Sequence, residues 1–123
     1  MNAYAQAQSA YAPAAAPTRT ARSAEYEVIA RISHRLKKAI KSNDFPALAE
    51  ALYENNKLWT ALAVDVIDEN NLLPDQLRAR IVYLADFTRL HTQKVLRKQE
   101  TAVPLLEINA MILGGLKQQG DTP

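Results

Sequence analysis

The stretch from Asp44 to Glu69 most constrains the fold of this chain, because its apolar residues follow the repeat of one long packed helix. The repeat consists of Phe45, Leu48, Leu52, Trp59, Leu62 and Val66, at steps of three and four with a polar interruption at Asn55. Such spacing keeps one side of an α-helix against a partner along its whole length. Leu58, Val64 and Ile67 lie off the repeat and add apolar surface. The stretch predicts the central helix of a bundle.

Three further stretches carry a helical repeat. Their apolar-stripe positions are Val28, Ile29, Ile32, Leu36 and Ile40, then Leu77, Ile81, Leu84, Thr88, His91 and Val95, and finally Leu105, Ile108, Ile112 and Leu116. Asp44 suits an N-cap and Pro46 is tolerated only in a first helical turn, which places the start of the central helix. Pro74 suits the first position of the next helix. Since no alternating strand pattern occurs, we predict an all-α fold, an antiparallel four-helix bundle.

The two ends of the chain differ in composition from this helical body. Asn2–Tyr11 is Ala- and Gln-rich and shorter than the ~12–15 residues that a helix needs alone in water. Ala12–Pro17 breaks helical structure, because proline lacks an amide hydrogen and disfavours α geometry before it. We therefore predict a flexible segment with a short, mobile helical piece and a linker over residues 1–17, a helical domain over 18–118, and a disordered tail over 119–123.

The composition argues against several classes of function. The chain has no cysteine, which excludes disulfides, thiolate-bound metals and thiol catalysis. Asp65, Asp68 and Glu69 have no histidine at metal-binding spacing, and Gly114-Gly115 follows no strand, so it is no phosphate loop. We predict a protein without catalytic residues, metal or cofactor, and not an enzyme. The absence of an apolar run of about 18 residues and of a signal-like N-terminus favours a cytoplasmic protein without a membrane span.

The charges are arranged in blocks along the chain. Residues 18–42 carry seven basic and two acidic side chains, residues 43–76 carry seven acidic and one basic, and residues 77–100 carry six basic and two acidic. Pairing between helices of the bundle is the interpretation that we favour. Nucleic-acid binding would need an uncompensated basic surface. Nucleic acid is therefore a disfavoured partner that the sequence leaves open.

Two asparagines, Asn55 and Asn109, occupy apolar-stripe positions. A buried amide that finds no hydrogen-bond partner costs roughly 1–3 kcal/mol. One interpretation is that the pair fixes how the helices stack. The other is that both amides line a groove and bond to the backbone of a partner.

Spaced motifs in the helical body resemble a known family. The run Asn55-Asn56-Lys57-Leu58-Trp59, then Asp65, Asn71-Leu72-Leu73-Pro74 and Leu77-Arg78-Ala79, resembles the FlaF flagellar biosynthesis regulators of alphaproteobacteria. Leu105-Leu106-Glu107-Ile108-Asn109 with Gly115-Leu116 is similar to that family's closing signature, and the likeness extends from about Glu25 to Leu116. The resemblance implies a chaperone-like protein that binds flagellin and promotes its synthesis and export, in opposition to the translational repressor FlbT. It implies no catalytic residues or cofactors.

Under this resemblance the expected partner is flagellin, with FlbT involved only indirectly. Flagellin termini are amphipathic helices, and a bundle can shield one in an apolar groove. The groove candidates are Asn55, Trp59, Leu62, Val66, Phe87, Leu90, His91 and Asn109. The N-terminal segment Asn2–Tyr11 is a candidate plug for this groove. The alternatives are an RNA-binding post-transcriptional regulator of flagellin message and a self-associating structural adaptor.

Overall fold

The computed structural model describes the backbone of residues 21–121 and the side chains of residues 25–116. Four helices make up this part of the chain: α1 is Ala21–Ser42, α2 is Phe45–Ile67, α3 is Asp75–Leu96 and α4 is Val103–Asp121. Residues 21–121 contain no strand, so the predicted all-α, four-helix architecture is confirmed. The predicted N-terminal helical piece and its linker lie outside the described residues.

The helices pack in a ring. α1 contacts α2 and α4, α2 contacts α3, and α3 meets α4 over a smaller area. Short connections between successive helices make neighbours antiparallel. Two side-chain contacts show which residues of neighbouring helices lie at the same level. Arg35 of α1 donates to Glu54 of α2, and the Thr92 hydroxyl of α3 lies 3.0 Å from the side-chain oxygen of Asn56 of α2.

The helix ends follow the local sequence. The Asp44 side chain accepts from the amide of Ala47 and caps α2, with a proline in the first turn, as the sequence predicts. Asn43, which precedes this cap, has a φ of 56°, a left-handed conformation that asparagine adopts more readily than most residues. Pro74 stands at the N-cap of α3, so that helix begins one residue later than predicted.

The C-terminal end of α2 is closed by a side chain from α3. Arg78 donates from Nε to the carbonyl oxygen of Val66 at 2.8 Å and from Nη2 to that of Asp68 at 3.0 Å. The Val66 carbonyl lies in the last turn of α2, where helical carbonyls lack intrahelical donors, and the Asp68 carbonyl also accepts from the amide of Asn71. The guanidinium cation also opposes the negative end of the helix dipole.

The core consists of two apolar clusters stacked along the bundle. The larger contains Val28, Ile29, Ile32, Leu58, Trp59, Leu62, Val66, Leu73, Ile81, Leu84, Ile108, Ile112 and Leu116, and the smaller contains Leu36, Ala39, Ala51, Leu52, Val95, Ala102 and Leu105. Nearly all of the predicted stripe positions are therefore core. Phe45 is an exception: it is exposed, with its ring centroid 4.8 Å from the ammonium nitrogen of Lys98. It is the first residue of α2, where the bundle does not cover it.

Each helix contributes polar residues where one apolar cluster gives way to the other. Ser33 of α1 follows Ile32 and precedes Leu36, and Asn55 of α2 lies between Leu52 and Leu58. The corresponding residues are Thr88, His91 and Thr92 on α3 and Asn109 on α4. We call these residues, with Asn56, the polar layer. No helix in the described part of the chain is long and apolar enough to cross a membrane.

Candidate functional site

Asn109 is the centre of the polar layer. Its side-chain oxygen accepts from the indole nitrogen of Trp59 at 2.8 Å. Its amide nitrogen donates to the side-chain oxygen of Asn55 at 2.8 Å and to the hydroxyl of Ser33 at 2.9 Å. Both amide hydrogens and the carbonyl of this residue are thus used inside the bundle. The arrangement ties α1, α2 and α4 together at one level.

Two polar atoms of the layer have no hydrogen-bond partner within the described part of the chain. They are Nδ2 of Asn55 and Oγ1 of Thr88, and both residues are fully buried. By contrast Thr92, one turn from Thr88, lies within hydrogen-bond distance of the Thr88 carbonyl and the Asn56 side chain. The polar layer is therefore incompletely satisfied on α2, at Asn55, and on α3, at Thr88.

His91 is held by the connection between α3 and α4. Its Nε2 lies 2.8 Å from the carbonyl oxygen of Thr101, so the tautomer with hydrogen on Nε2 donates to that carbonyl. The ring stacks on Phe87 with 5.3 Å between centroids and 13° between planes. No group of three or more potential metal ligands occurs among the described residues. The observed contacts of His91 are structural.

The residues predicted to line a partner groove fall into two groups. Asn55, Trp59, Leu62, Val66, His91 and Asn109 are buried between the helices, whereas Phe87 is half-buried and Leu90 is exposed. In this closed bundle the six buried side chains contact other helices and have no free surface for a partner. Partner binding by these residues stays a prediction, and on geometric grounds Leu90 and Phe87 are its most accessible members.

The exposed large apolar side chains are concentrated on one side of the bundle. Of eleven among the described residues, nine belong to α2, α3 or the connections next to them, two to α4 and none to α1. The main members on the α2/α3 side are Tyr53, Val64, Ile67, Val82, Tyr83 and Leu90, with exposed fractions from 42% for Val82 to 70% for Tyr83. We call these six residues the α2/α3 apolar face.

Helical spacing places these residues on the outward side of α2 and on two adjoining flanks of α3. Tyr53, Val64 and Ile67 are separated by 11 and 3 residues and share the outward side of α2. Tyr83 and Leu90 share the outward side of α3. Val82 lies one turn from Arg78, whose side chain reaches Val66 of α2. Val82 is therefore on the flank of α3 next to α2, at about the level of Val64.

The outer side of α1 has the opposite character. Its exposed positions hold Arg31, His34, Arg35, Lys37, Lys38 and Lys41, together with Glu27 and Ser42. Among residues 25–116 one ion pair joins two helices, between Arg35 and Glu54 at 2.8 Å, and the other two are local to α3. Between side chains of residues 25–116, the pairing between helices that the charge blocks predict is thus limited to a single contact.

Comparison with known proteins identifies the family. The family model described as flagellar protein FlaF matches residues 7–116, most of the chain. The chain belongs to the FlaF family. Searches of curated proteins and of solved structures gave no match.

Membership of the FlaF family gives the chain a role in flagellum biogenesis and confirms the resemblance seen in its motifs. FlaF is a family of flagellar proteins and not a known family of enzymes. The match includes all three asparagines of the polar layer and the whole α2/α3 apolar face. It begins at Ala7, before the first described helix, so the family also shares part of the N-terminal segment.

Sequence reasoning missed several elements of this region. Ser33 and Arg78 carry no signal that predicts their partners, because each contacts a helix far away in sequence. Val64, Ile67, Val82 and Leu90 do carry a signal, since all four are apolar residues outside the main stripes. That signal identifies surplus apolar surface without showing whether another helix of the bundle covers it.

Proposed function

We propose that this protein is a cytoplasmic, chaperone-like regulator of flagellum biogenesis that binds flagellin by shielding one of its amphipathic helices. The observation that carries the proposal is the α2/α3 apolar face, combined with the FlaF family match. Contiguous apolar surface on a folded protein commonly marks an interaction site. Binding in this way promotes flagellin synthesis and export by keeping the subunit unpolymerised.

A helix is the partner element that suits this face. Val64 and Ile67 of α2 and Val82 of α3 lie near the line where the two helices meet, and a third helix can pack along such a line through its apolar residues at i, i+3, i+4 and i+7. Ala63 of α2 and Ala85 of α3 are small and half-buried where the two helices meet. Small residues there allow close approach of the partner helix.

The charges on this face also favour an apolar mode of binding. Arg89 and Asp86 of α3 form an ion pair at 2.8 Å, so this pair presents no net charge to a partner. Lys57 of α2 lies over the ring of Tyr53 at 5.3 Å from its centroid. Lys57 keeps its positive charge in this contact, but because the exposed side chains of the face itself are apolar or aromatic, we expect flagellin affinity to change little with salt concentration.

The test is calorimetric titration of monomeric flagellin with the full chain. We expect a saturable complex, and we expect the triple variant Val64→Gln/Ile67→Gln/Val82→Gln to weaken it at least tenfold. All three residues are exposed, so their replacement should leave the helical circular dichroism and the unfolding midpoint nearly unchanged.

The matched control is Val103→Gln/Met111→Gln, which removes exposed apolar side chains from α4. This double variant should bind flagellin within twofold of the native affinity. Absence of any complex with flagellin would reject the chaperone proposal. A complex unaffected by the triple variant would retain the partner and move its site away from the α2/α3 apolar face.

Self-association is the competing use of the same face. A protein that mainly pairs with itself through these residues would be a dimer at micromolar concentration, and the triple variant would convert it to a monomer. Light scattering of both proteins measures this directly. A monomer in both cases counts against the structural-adaptor alternative and leaves the face available to flagellin.

A further inference from the structure

The exposed surface of α1 is almost entirely cationic. Between residues 25 and 42 its exposed positions hold five Lys or Arg side chains and one histidine, against one acidic residue and no apolar residue. We call Arg31, His34, Arg35, Lys37, Lys38 and Lys41 the α1 basic face. It lies on the side of the ring away from the outward surface of α3, so it is separate from the α2/α3 apolar face.

The bundle neutralises little of this charge. Arg35 is bonded to Glu54 of α2, and the remaining ion pairs among residues 25–116 join Arg78 to Asp75 and Arg89 to Asp86. Arg31, Lys37, Lys38 and Lys41 therefore have no ion pair with any side chain in this part of the chain. The basic surface of α1 is thus largely uncompensated within these residues, which is the condition that binding of a polyanion requires.

The arrangement also works against the stability of α1 itself. Arg31 and Arg35, and likewise Lys37 and Lys41, are like charges four residues apart, a spacing that destabilises a helix. The bond from Arg35 to Glu54 offsets part of this repulsion, and Lys41 in the last turn of α1 opposes the negative end of the helix dipole. A polyanion beside this face would relieve the repulsion that remains.

We propose that the α1 basic face binds the phosphate backbone of nucleic acid. From Arg31 to Lys41 the helix rises about 15 Å, at about 1.5 Å per residue. This length spans about four phosphates of one strand at about 3.4 Å per nucleotide. The rows of Lys and Arg are therefore long enough to contact several consecutive phosphates from one side of a single helix.

The composition of the face distinguishes this partner from two others. A protein interface has an apolar or aromatic centre, and a membrane-surface helix places apolar residues beside its basic ones. The exposed positions of α1 between residues 25 and 42 offer neither. A phosphate backbone needs only cationic contacts. Because the face carries no aromatic residue for base stacking, recognition is by backbone charge and independent of base sequence.

The experiment uses the full chain and a fluorescein-labelled 20-nucleotide RNA of mixed sequence, with binding followed by fluorescence anisotropy. We expect measurable binding at 50 mM salt, similar affinity for a second, unrelated sequence, and a steep loss on raising the salt. With about four phosphates neutralised, log K should fall with log salt at a slope near −3, at about −0.7 per phosphate of a single strand.

The variant Lys37→Gln/Lys38→Gln/Lys41→Gln should reduce affinity at least tenfold at 50 mM salt and flatten the slope by about two units, at about 0.7 per lost contact. The matched control Arg80→Gln/Lys94→Gln/Arg97→Gln removes the same number of exposed charges from α3 and its C-cap and should stay within threefold of native affinity. Circular dichroism checks that both variants remain helical.

Three outcomes would overturn the proposal: no change of anisotropy up to 100 µM protein, an equal loss in both variants, or a slope near zero. Co-sedimentation with vesicles containing phosphatidylserine tests whether the α1 basic face binds a membrane surface instead. Vesicle binding without RNA binding would also overturn it. The variants leave the α2/α3 apolar face unchanged. A negative result for nucleic-acid binding therefore does not bear on flagellin binding, and each proposal can be rejected independently of the other.

Discussion

The indole nitrogen of Trp59 on α2 donates a hydrogen bond of 2.8 Å to the side-chain oxygen of Asn109 on α4, and both residues are fully buried. An indole hydrogen needs a partner when it is removed from water. Asn109 supplies that partner and is itself held by Asn55 and Ser33. The relationship fixes both the rotation of α4 and its level along α2.

Removing this amide should destabilise the bundle strongly. Asn109→Leu leaves Trp59, Asn55 and Ser33 each without a partner for one polar atom, and each such loss costs roughly 1–3 kcal/mol when buried. We expect the free energy of unfolding to fall by about 3 kcal/mol or more in urea denaturation. Asn70→Leu in the exposed connection after α2 is the control and should change it by less than about 0.5 kcal/mol. A loss below 1 kcal/mol for Asn109→Leu would show that the network contributes little.

The two buried threonines of α3 should respond in opposite directions to the same change. Thr88→Val removes a hydroxyl that has no partner among the described residues, so we expect stabilisation by about 1 kcal/mol. Thr92→Val removes a hydroxyl that lies within hydrogen-bond distance of the Thr88 carbonyl and the Asn56 side chain, so we expect a loss of about 1–2 kcal/mol. Thermal and urea unfolding measure both. Destabilisation by Thr88→Val would mean that its hydroxyl is satisfied in solution.

Arg78 should matter more than its position on a helix surface indicates. Arg78→Gln removes the donors to the carbonyl oxygens of Val66 and Asp68 at the end of α2. A hydrogen bond from a charged group contributes no more than about 1.5–3 kcal/mol. Because the Arg78 side chain is 23% exposed and so partly hydrated, we expect the free energy of unfolding to fall by about 1–2 kcal/mol. Arg80→Gln, two residues along and exposed, should be nearly neutral. Equal effects of the two substitutions would exclude a capping role for Arg78.

Of the two adjacent glycines in α4, Gly114 should tolerate replacement by alanine. A Cβ added to Gly114 meets nothing within 4 Å, and one added to Gly115 meets Leu77 at 3.5 Å, an ordinary contact. Because glycine costs about 1 kcal/mol relative to alanine inside a helix, Gly114→Ala should stabilise by about that amount. Ala110→Gly, also exposed on α4, should give the reverse change. A loss of stability in Gly114→Ala would point to a contact outside the described residues.

Deletion of residues 1–17 tests the predicted N-terminal plug. If Asn2–Tyr11 competes with flagellin for the same apolar surface, the shortened protein should bind flagellin more tightly in calorimetry. The competing segment must be displaced before binding, which lowers the apparent affinity of the full chain. Unchanged or weaker binding by the shortened protein would reject the plug.

Periodicity in the sequence predicted the core well, because burial in a bundle follows directly from the apolar stripe of each helix. Leu52, Leu62 and Ile112 need no other information. The stripe also identified Asn55 and Asn109, although their shared bond depends on the relative level of α2 and α4, which no local pattern contains. Phe45 was misjudged because it is the first residue of α2, where the bundle does not cover it.

The surface was harder to predict. Composition by segment indicated attraction between α1 and α2, but an ion pair forms only where two long side chains meet at one level, as Arg35 and Glu54 do. Groove residues were chosen from the strongest apolar positions, and those are the positions that a bundle buries first. Leu90 was found only because it lies outside the stripe of α3.

The isolation of the Arg35–Glu54 bridge has a practical consequence for every titration of this protein. An exposed bridge of this kind contributes about 0–1 kcal/mol to the free energy of unfolding. Because it is the one ion pair between helices among residues 25–116, screening by added electrolyte should weaken the packing of the helices very little. The body stays folded while ionic strength is varied over a wide range. Any loss of a complex with rising electrolyte can then be assigned to the contact with the ligand.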